Sequence, residues 1–192
     1  DETYIWDLKF DKEGGLFIAT GSSGRVYRLP PDPLMDTEAE LWLETDCEHV
    51  NVLSFDGDGA LLAGTADGAY LYRVSEAGET ELLSSGMASE ITGIHSQGEY
   101  IYFSTFGPAV NNLNDDVVSS SDTTSSSTSS SSSASITINS SDANNTHAPI
   151  YRYGPDGFVD TVIGFPDVNV YSVAAAEEGG WFVGSQSNGH LY

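Results

Sequence analysis

Val50–Val74, VNVLSFDGDGALLAGTADGAYLYRV, is the stretch on which the architecture turns. It divides into three short runs of apolar, β-branched and aromatic residues, VNVLSF, LLAGT and YLYRV. Two glycine-bearing segments, DGDG and ADG, separate them. Runs of this length and composition bounded by Gly and Asp read as strands joined by tight turns. The Asp pair of DGDG also suggests a calcium loop. Such a loop needs further ligands and a closing Glu, whereas Ala60, Leu61 and Leu62 must enter a strand here. Turn chemistry is the reading favoured.

Working outward, the same pattern recurs. YIWDLKF, DKEGG, LFIAT, GSSG and RVYRL precede the stretch, and ELWLE supplies a fourth strand after the proline-rich loop PPDPLMDTE. Phe10 and Phe55, Leu16 and Leu61, and Tyr27 and Tyr72 are each 45 residues apart. ETELLSS is the fourth strand of the second unit. ITGIHS and YIYFST open a third, which resumes at PIYRY, PDG and FVDTVIG. NVYSVAA, EEGG, WFVGSQ, SNG and HLY open a fourth. Four strands in each unit, at a period of about 40–45 residues, is the signature of a propeller blade. A β-sandwich explains the strands but not the repetition. Helical repeats would need helical periodicity, which these Gly-broken runs lack.

The predicted fold is therefore all-β: a β-propeller segment of about three and a half four-stranded antiparallel blades, expected to form part of a larger propeller. Blade one is 1–46, blade two 47–88, blade three 89–165 and an incomplete blade four 166–192. A low-complexity insertion, 107–148, interrupts blade three. It contains the near-pure Ser/Thr run Ser119–Ser135 and is expected to be disordered, because it has too little apolar surface to fold. The chain begins directly before a strand and stops inside one, so it is expected to be a segment of a longer protein. Ser23-Gly24, Asp67-Gly68 and Asn188-Gly189 are read as two-residue hairpin turns between second and third strands.

With 29 acidic against 6 basic residues, the net charge of −23 excludes nucleic acid and anionic membrane as natural partners. It suits cations and basic partners, although adaptation to salt, which needs no acidic site, is the reading favoured. No run approaches the ~20 apolar residues of a membrane helix, so membrane insertion is not expected. The single cysteine, Cys47, excludes a disulfide framework and reads as a small buried hydrophobe. Arg28, Arg73 and Arg152 take half of the basic residues and occupy one repeat position. Each is expected to pair with a nearby carboxylate.

At DGDGALLAGTADGAYLYRV the chain resembles the repeats of bacterial sensor-type propellers, with an acidic or Gly turn, an apolar strand ending in Gly-Thr, a Gly turn and a short aromatic strand. NHL and six-bladed lactonase-type propellers look similar at this level. The Trp-Asp ending of WD40 blades and the double Gly of kelch blades are missing. The resemblance implies a binding platform for a protein, peptide or carbohydrate ligand, more often a recognition module than an enzyme.

In that architecture the loop entering the first strand and the loop between second and third strands share one end, at the mouth of the channel. Glu2, Glu48, Glu90 and Asp167 precede the first strands and form a candidate cation-attracting rim, with Ca²⁺ as the possible ion and chance placement in so acidic a chain as the competing reading. Trp6, Asn51, Thr92 and Tyr171 sit one residue into the first strands and are candidate mouth-lining residues, with plain packing as the competing reading. Asn139 and Asn144 begin glycosylation sequons, of a kind that Ser/Thr-rich tracts also produce by chance. The expected function is a non-catalytic binding or sensing module of a secreted or surface protein, extracellular or periplasmic. The alternatives are a six-bladed lactonase-type hydrolase with a channel metal, and a purely structural repeat of a large surface protein. No catalytic residues are assigned.

Overall fold

The computed structural model describes residues 2–107, 147–166, 169–175 and 180–185. Every regular element among them is a strand. Blade one holds β1 (Tyr4–Phe10), β2 (Leu16–Gly21), β3 (Arg25–Leu29) and β4 (Glu40–Glu44). Blade two holds β5 (Val50–Phe55), β6 (Leu61–Thr65), β7 (Leu71–Val74) and β8 (Thr80–Ser84). Blade three holds β9 (Glu90–Gln97), β10 (Tyr100–Phe106), β11 (His147–Tyr153) and β12 (Val159–Pro166). Blade four begins with β13 (Val170–Ala175) and β14 (Trp181–Ser185). Within each sheet the strands lie side by side in chain order and pair antiparallel, in three four-stranded sheets and one two-stranded sheet. The sheets are joined through their first strands, β1 to β5, β5 to β9 and β9 to β13. This is the blade arrangement of a β-propeller.

The turns explain the strand boundaries. Residues 11–15, 56–60, 75–79 and 154–158 share one geometry. The first residue's N–H bonds the fifth residue's C=O, and the fourth residue's N–H bonds the first residue's C=O. The fourth residue is Gly14, Gly59, Gly78 or Gly157, with φ between +79° and +90°, a region that side chains strain to enter. Asp11 and Asp56 accept the fifth residue's N–H through Oδ1, and Ser75 does so through Oγ. Asp56 Oδ2 pairs with Arg73 at 2.7 Å, so the first carboxylate of DGDG is fully used by turn and ion pair. Arg28 meets Asp11 at 3.0 Å and Arg152 meets Asp160 at 2.9 Å, as expected for that repeat position.

Three expectations need correction. The connections at Ser23-Gly24 and Asp67-Gly68 are not two-residue turns. β2 and β3 are joined by residues 22–24, and β6 and β7 by residues 66–70. The extra length lets each loop grip the next blade: Gly24 N–H donates to Glu48 O and Gly68 N–H to Ser89 O. Gly24 O accepts from Thr45 N, and Gly68 O from Gly86 N. A Cβ on Gly24 would lie against the Cys47 carbonyl, so only glycine fits. Secondly, His147 and Ala148, expected within the Ser-rich insertion, belong to a strand. His147 and Ala148 pair with Pro166 and Phe165 as the start of β11. Thirdly, the fourth strand of blade three starts at Val159, because Gly154–Phe158 is a turn. The Asn188-Gly189 turn, the HLY strand and the Ser/Thr run lie outside the described residues.

The core lies between blades. Phe17, Ala19, Val26 and Leu43 of blade one close on Val50, Leu53, Leu61 and Val74 of blade two. Leu62 and Leu71 of blade two close on Ile91, Ile94, Phe103 and Tyr151 of blade three. Tyr72 and Tyr151 both pack in these seams. Where the first strand of one blade crosses the second strand of the previous one, the residue beneath is small. A Cβ on Gly64 would lie 2.7 Å from Ile91 Cγ2, and Ala19 and Ser104 hold the corresponding places. Cys47 is buried in the seam, its thiol 3.5 Å from Thr65 Oγ1.

Equivalent positions differ sharply in burial. Leu53 is 1 % exposed and its counterpart Leu8 52 %, because no described residue covers that face of blade one. Leu53→Ala is expected to destabilise this chain by about 2–5 kcal/mol, and Leu8→Ala by no more than about 0.5 kcal/mol. Urea-unfolding midpoints of the two variants check this, and equal losses would contradict the seam as the source of stability.

Candidate functional site

In every blade the first strand carries a β-bulge at the same place. Pairing passes from Ile5↔Thr20 to Asp7↔Ala19, from Val50↔Thr65 to Val52↔Gly64, from Ile91↔Thr105 to Gly93↔Ser104, and from Val170↔Ser185 to Ser172↔Gly184. The residues left out of the ladder are Trp6, Asn51, Thr92 and Tyr171, the four mouth-lining candidates. A bulge frees one residue from the ladder and re-aims its side chain, and bulges are over-represented at barrel rims and binding sites. In blade one Gly21, opposite Tyr4, makes room: a Cβ there would fall on the Trp6 and His49 ring nitrogens.

The bulge side chains of blades one to three reach toward the next blade, and that of blade four reaches back to the one before. Trp6 Nε1 donates to His49 Nδ1 at 3.3 Å, Asn51 Nδ2 donates to Glu90 Oε2 at 2.9 Å, and Thr92 Oγ1 donates to Val170 O at 2.8 Å. Tyr171 stacks on Phe106 with ring centroids 6.0 Å apart. The four residues therefore do not converge on one point. They form a line of inter-blade links along one end of the sheets, the end that also carries the entry to each first strand and the loops 22–24 and 66–70. At the bulge of blade one, Asp7 adds another link: its Oδ1 accepts the Leu8 N–H and its Oδ2 the Leu53 N–H, both at 2.8 Å.

A second aromatic group of this rim centres on blade one. Tyr4 and Trp6 stack with centroids 5.5 Å apart and 27° between planes, and His49 meets both edge-on. Both rings are about half exposed, Tyr4 at 51 % and Trp6 at 49 %. Tyr4 and His49 were not singled out in the sequence. Each stands two residues before a bulge, as Glu90 does, and His49 and Glu90 receive the bulge side chains of the preceding blades, so the sequence marks this place only once the bulges are known.

The acids are placed unequally. Glu2 accepts from the Tyr27 hydroxyl at 2.8 Å and lies 3.7 Å from Arg25 Nη1, so it looks across its own blade. Glu48 is exposed, 3.9 Å from His49 Nε2. Glu90 is half-buried and held by Asn51. Among the described residues no three His, Cys, Asp or Glu side chains are grouped so that they could hold a metal ion. Asp167, Asn139 and Asn144 lie outside the described residues.

Burial raises the Glu90 carboxyl above its ordinary value, against the opposing pull of the Asn51 hydrogen bond. The folded state thus holds the Glu90 proton more tightly than the unfolded chain does. This contribution to stability is fully present below the ordinary value of 4.5 and is lost as pH rises through the raised folded value. Glu90→Gln keeps an oxygen for Asn51 and removes the charge. It is expected to gain about 0.5 kcal/mol at neutral pH, solvent screening of a half-exposed group holding the gain to this size. The gain should disappear in acid, where Glu90 is neutral. Urea titrations at both pH values check the sign, and a gain that persists in acid would point away from Glu90 ionisation.

No protein-family model and no curated protein matches the chain. Solved structures do. A chain of the nidogen/laminin complex matches with TM-score 0.58 and 11 % identity, over 94 % of this chain and 56 % of that one. The tricorn protease matches with TM-score 0.57 and 11 % identity, over 96 % of this chain and 15 % of that one. Virginiamycin B lyase from Staphylococcus aureus matches with TM-score 0.50 and 14 % identity, over 100 % of this chain and 70 % of that one. The chain thus spans about half the length of the first of these and a smaller part of the second. Together with the three four-stranded sheets and their joined first strands, the likeness identifies the fold as a set of β-propeller blades.

Proposed function

We propose that this chain is a non-catalytic binding module of a secreted or surface protein, and that it takes a protein, peptide or carbohydrate ligand on the bulge-bearing rim. The observation that carries the reading is the bulge repeated in all four blades, which directs one side chain per blade to the same end of the sheets. The half-exposed pair Tyr4 and Trp6 offers a flat π-surface of the kind on which a sugar ring or a peptide side chain stacks. His49, Asn51 and Glu90 beside it supply donors and acceptors. The nidogen/laminin complex among the similar structures is a protein–protein assembly, which favours a protein or peptide over a small metabolite.

The test is a screen of soluble oligosaccharides and peptides against the immobilised full chain, followed by titration of each hit. Trp6→Ala and Tyr4→Ala are expected to weaken binding at least about tenfold, with melting temperatures near that of the parent. Hits that bind both variants as tightly as the parent, or a panel without a single hit, would overturn the reading.

A further inference from the structure

The fourth strands carry a second repeated bulge. Pairing passes from Val26↔Leu43 to Tyr27↔Leu41, from Leu71↔Ser84 to Tyr72↔Leu82, and from Ile150↔Ile163 to Tyr151↔Thr161. The residues left out are Trp42, Leu83 and Val162. Trp42 and Leu83 line two equivalent clefts, of about 290 Å³ between blades one and two and about 360 Å³ between blades two and three. Both clefts open beside the Asp11 and Asp56 turns, at the end of the sheets remote from Trp6 and Asn51.

The clefts share an ion pair and differ in their walls. Arg28–Asp11 in the first corresponds to Arg73–Asp56 in the second. Phe17, Trp42 and Phe55 in the first stand where the second blade pair has Leu62, Leu83 and Ser96. Three aromatic rings at one cleft, and none at the same three places in its copy, are more than the packing of this repeat requires. The first cleft already holds a cation against those rings: the Arg28 guanidinium lies 5.5 Å from the Phe17 centroid and 5.3 Å from that of Trp42. Asp11 answers that charge, whereas Glu13 and Glu76 at the opening have no ion-pair partner among the described residues.

We propose that the cleft between blades one and two receives a basic side chain, lysine or arginine, of a partner protein. Its aliphatic stem packs on Trp42 and Phe55, and its charge meets Glu13 and Glu76. The volume, at the lower edge of the about 300–1,000 Å³ of small-molecule pockets, suits one side chain. The charge of the chain, −23, draws a basic segment toward it. This site is separate from the rim and does not depend on it.

The experiment titrates a labelled peptide of six lysines spaced by Gly-Ser into the full chain at about 0.15 M salt, where long-range attraction is screened. Trp42→Leu, which installs the side chain found in the second cleft, is expected to weaken binding about tenfold without changing charge. Glu13→Gln with Glu76→Gln, two exposed substitutions that leave packing untouched, should do the same, so the test survives if Trp42→Leu unfolds. Glu81→Gln with Glu99→Gln in the second cleft should leave affinity as it is. Equal weakening by both glutamate pairs would show diffuse attraction and overturn the proposal. So would undiminished binding of the same peptide with norleucine in place of lysine, or a folded Trp42→Leu variant with parental affinity.

Discussion

Each sheet of this repeat has two apolar faces, and a single sheet can bury neither. That constraint generates the rest of the structure. Val50 and Leu53 need the floor provided by Ala19 and Phe17, and Ile91 and Ile94 need that provided by Leu62 and its neighbours. Close approach of the sheets demands small residues at the crossing, hence Ala19, Gly64 and Ser104 on the second strands. It also explains why apolar residues do not alternate along β6, whose five residues are all buried. Stability is consequently a property of pairs of blades, as in other repeat proteins.

Much of the architecture was legible because it is written in turns and spacing. The glycines of DGDG and its equivalents sit where φ must be positive, and their 45-residue separation brought Arg28 and Arg73 to one place with a carboxylate each. The bulges were not legible. When a strand is apolar on both faces, leaving one residue out of the ladder breaks no alternation, so Trp6, Asn51, Thr92 and Tyr171 were found by position alone. The loops 22–24 and 66–70 looked like two-residue turns because Ser-Gly and Asp-Gly are typical of them. Their true length is set by hydrogen bonds to a neighbouring blade, which no local pattern encodes. The acids before the first strands are not equivalent either: Glu2, Glu48 and Glu90 stand three, two and one residues before Ile5, Val50 and Ile91. In a strand each step turns a side chain to the other face, so the three carboxylates meet different surroundings.

The two bulge series divide the labour of the blade. The first-strand bulges send polar and aromatic side chains to one end, where those of blades one to three reach toward the next blade, as in Trp6 to His49 and Asn51 to Glu90, and Tyr171 reaches back to Phe106. The fourth-strand bulges sit at the outer edge and decide whether a cleft is lined by Trp42 or Leu83. Neither series disturbs the seams between them. Side chains at the bulges therefore differ from blade to blade on a scaffold whose packing stays the same.

Gly24 and Gly68 differ in kind from the other turn glycines. Their amide protons are bonded to carbonyls of the chain entering the following blade, while the amides of Gly14, Gly59 and Gly78 close turns within their own. Protons of the second sort are released when a hairpin frays. Those of the first sort are released only when two blades part. Solvent exchange at these two amides is thus a built-in gauge of separation between units, readable apart from the unravelling of any one sheet.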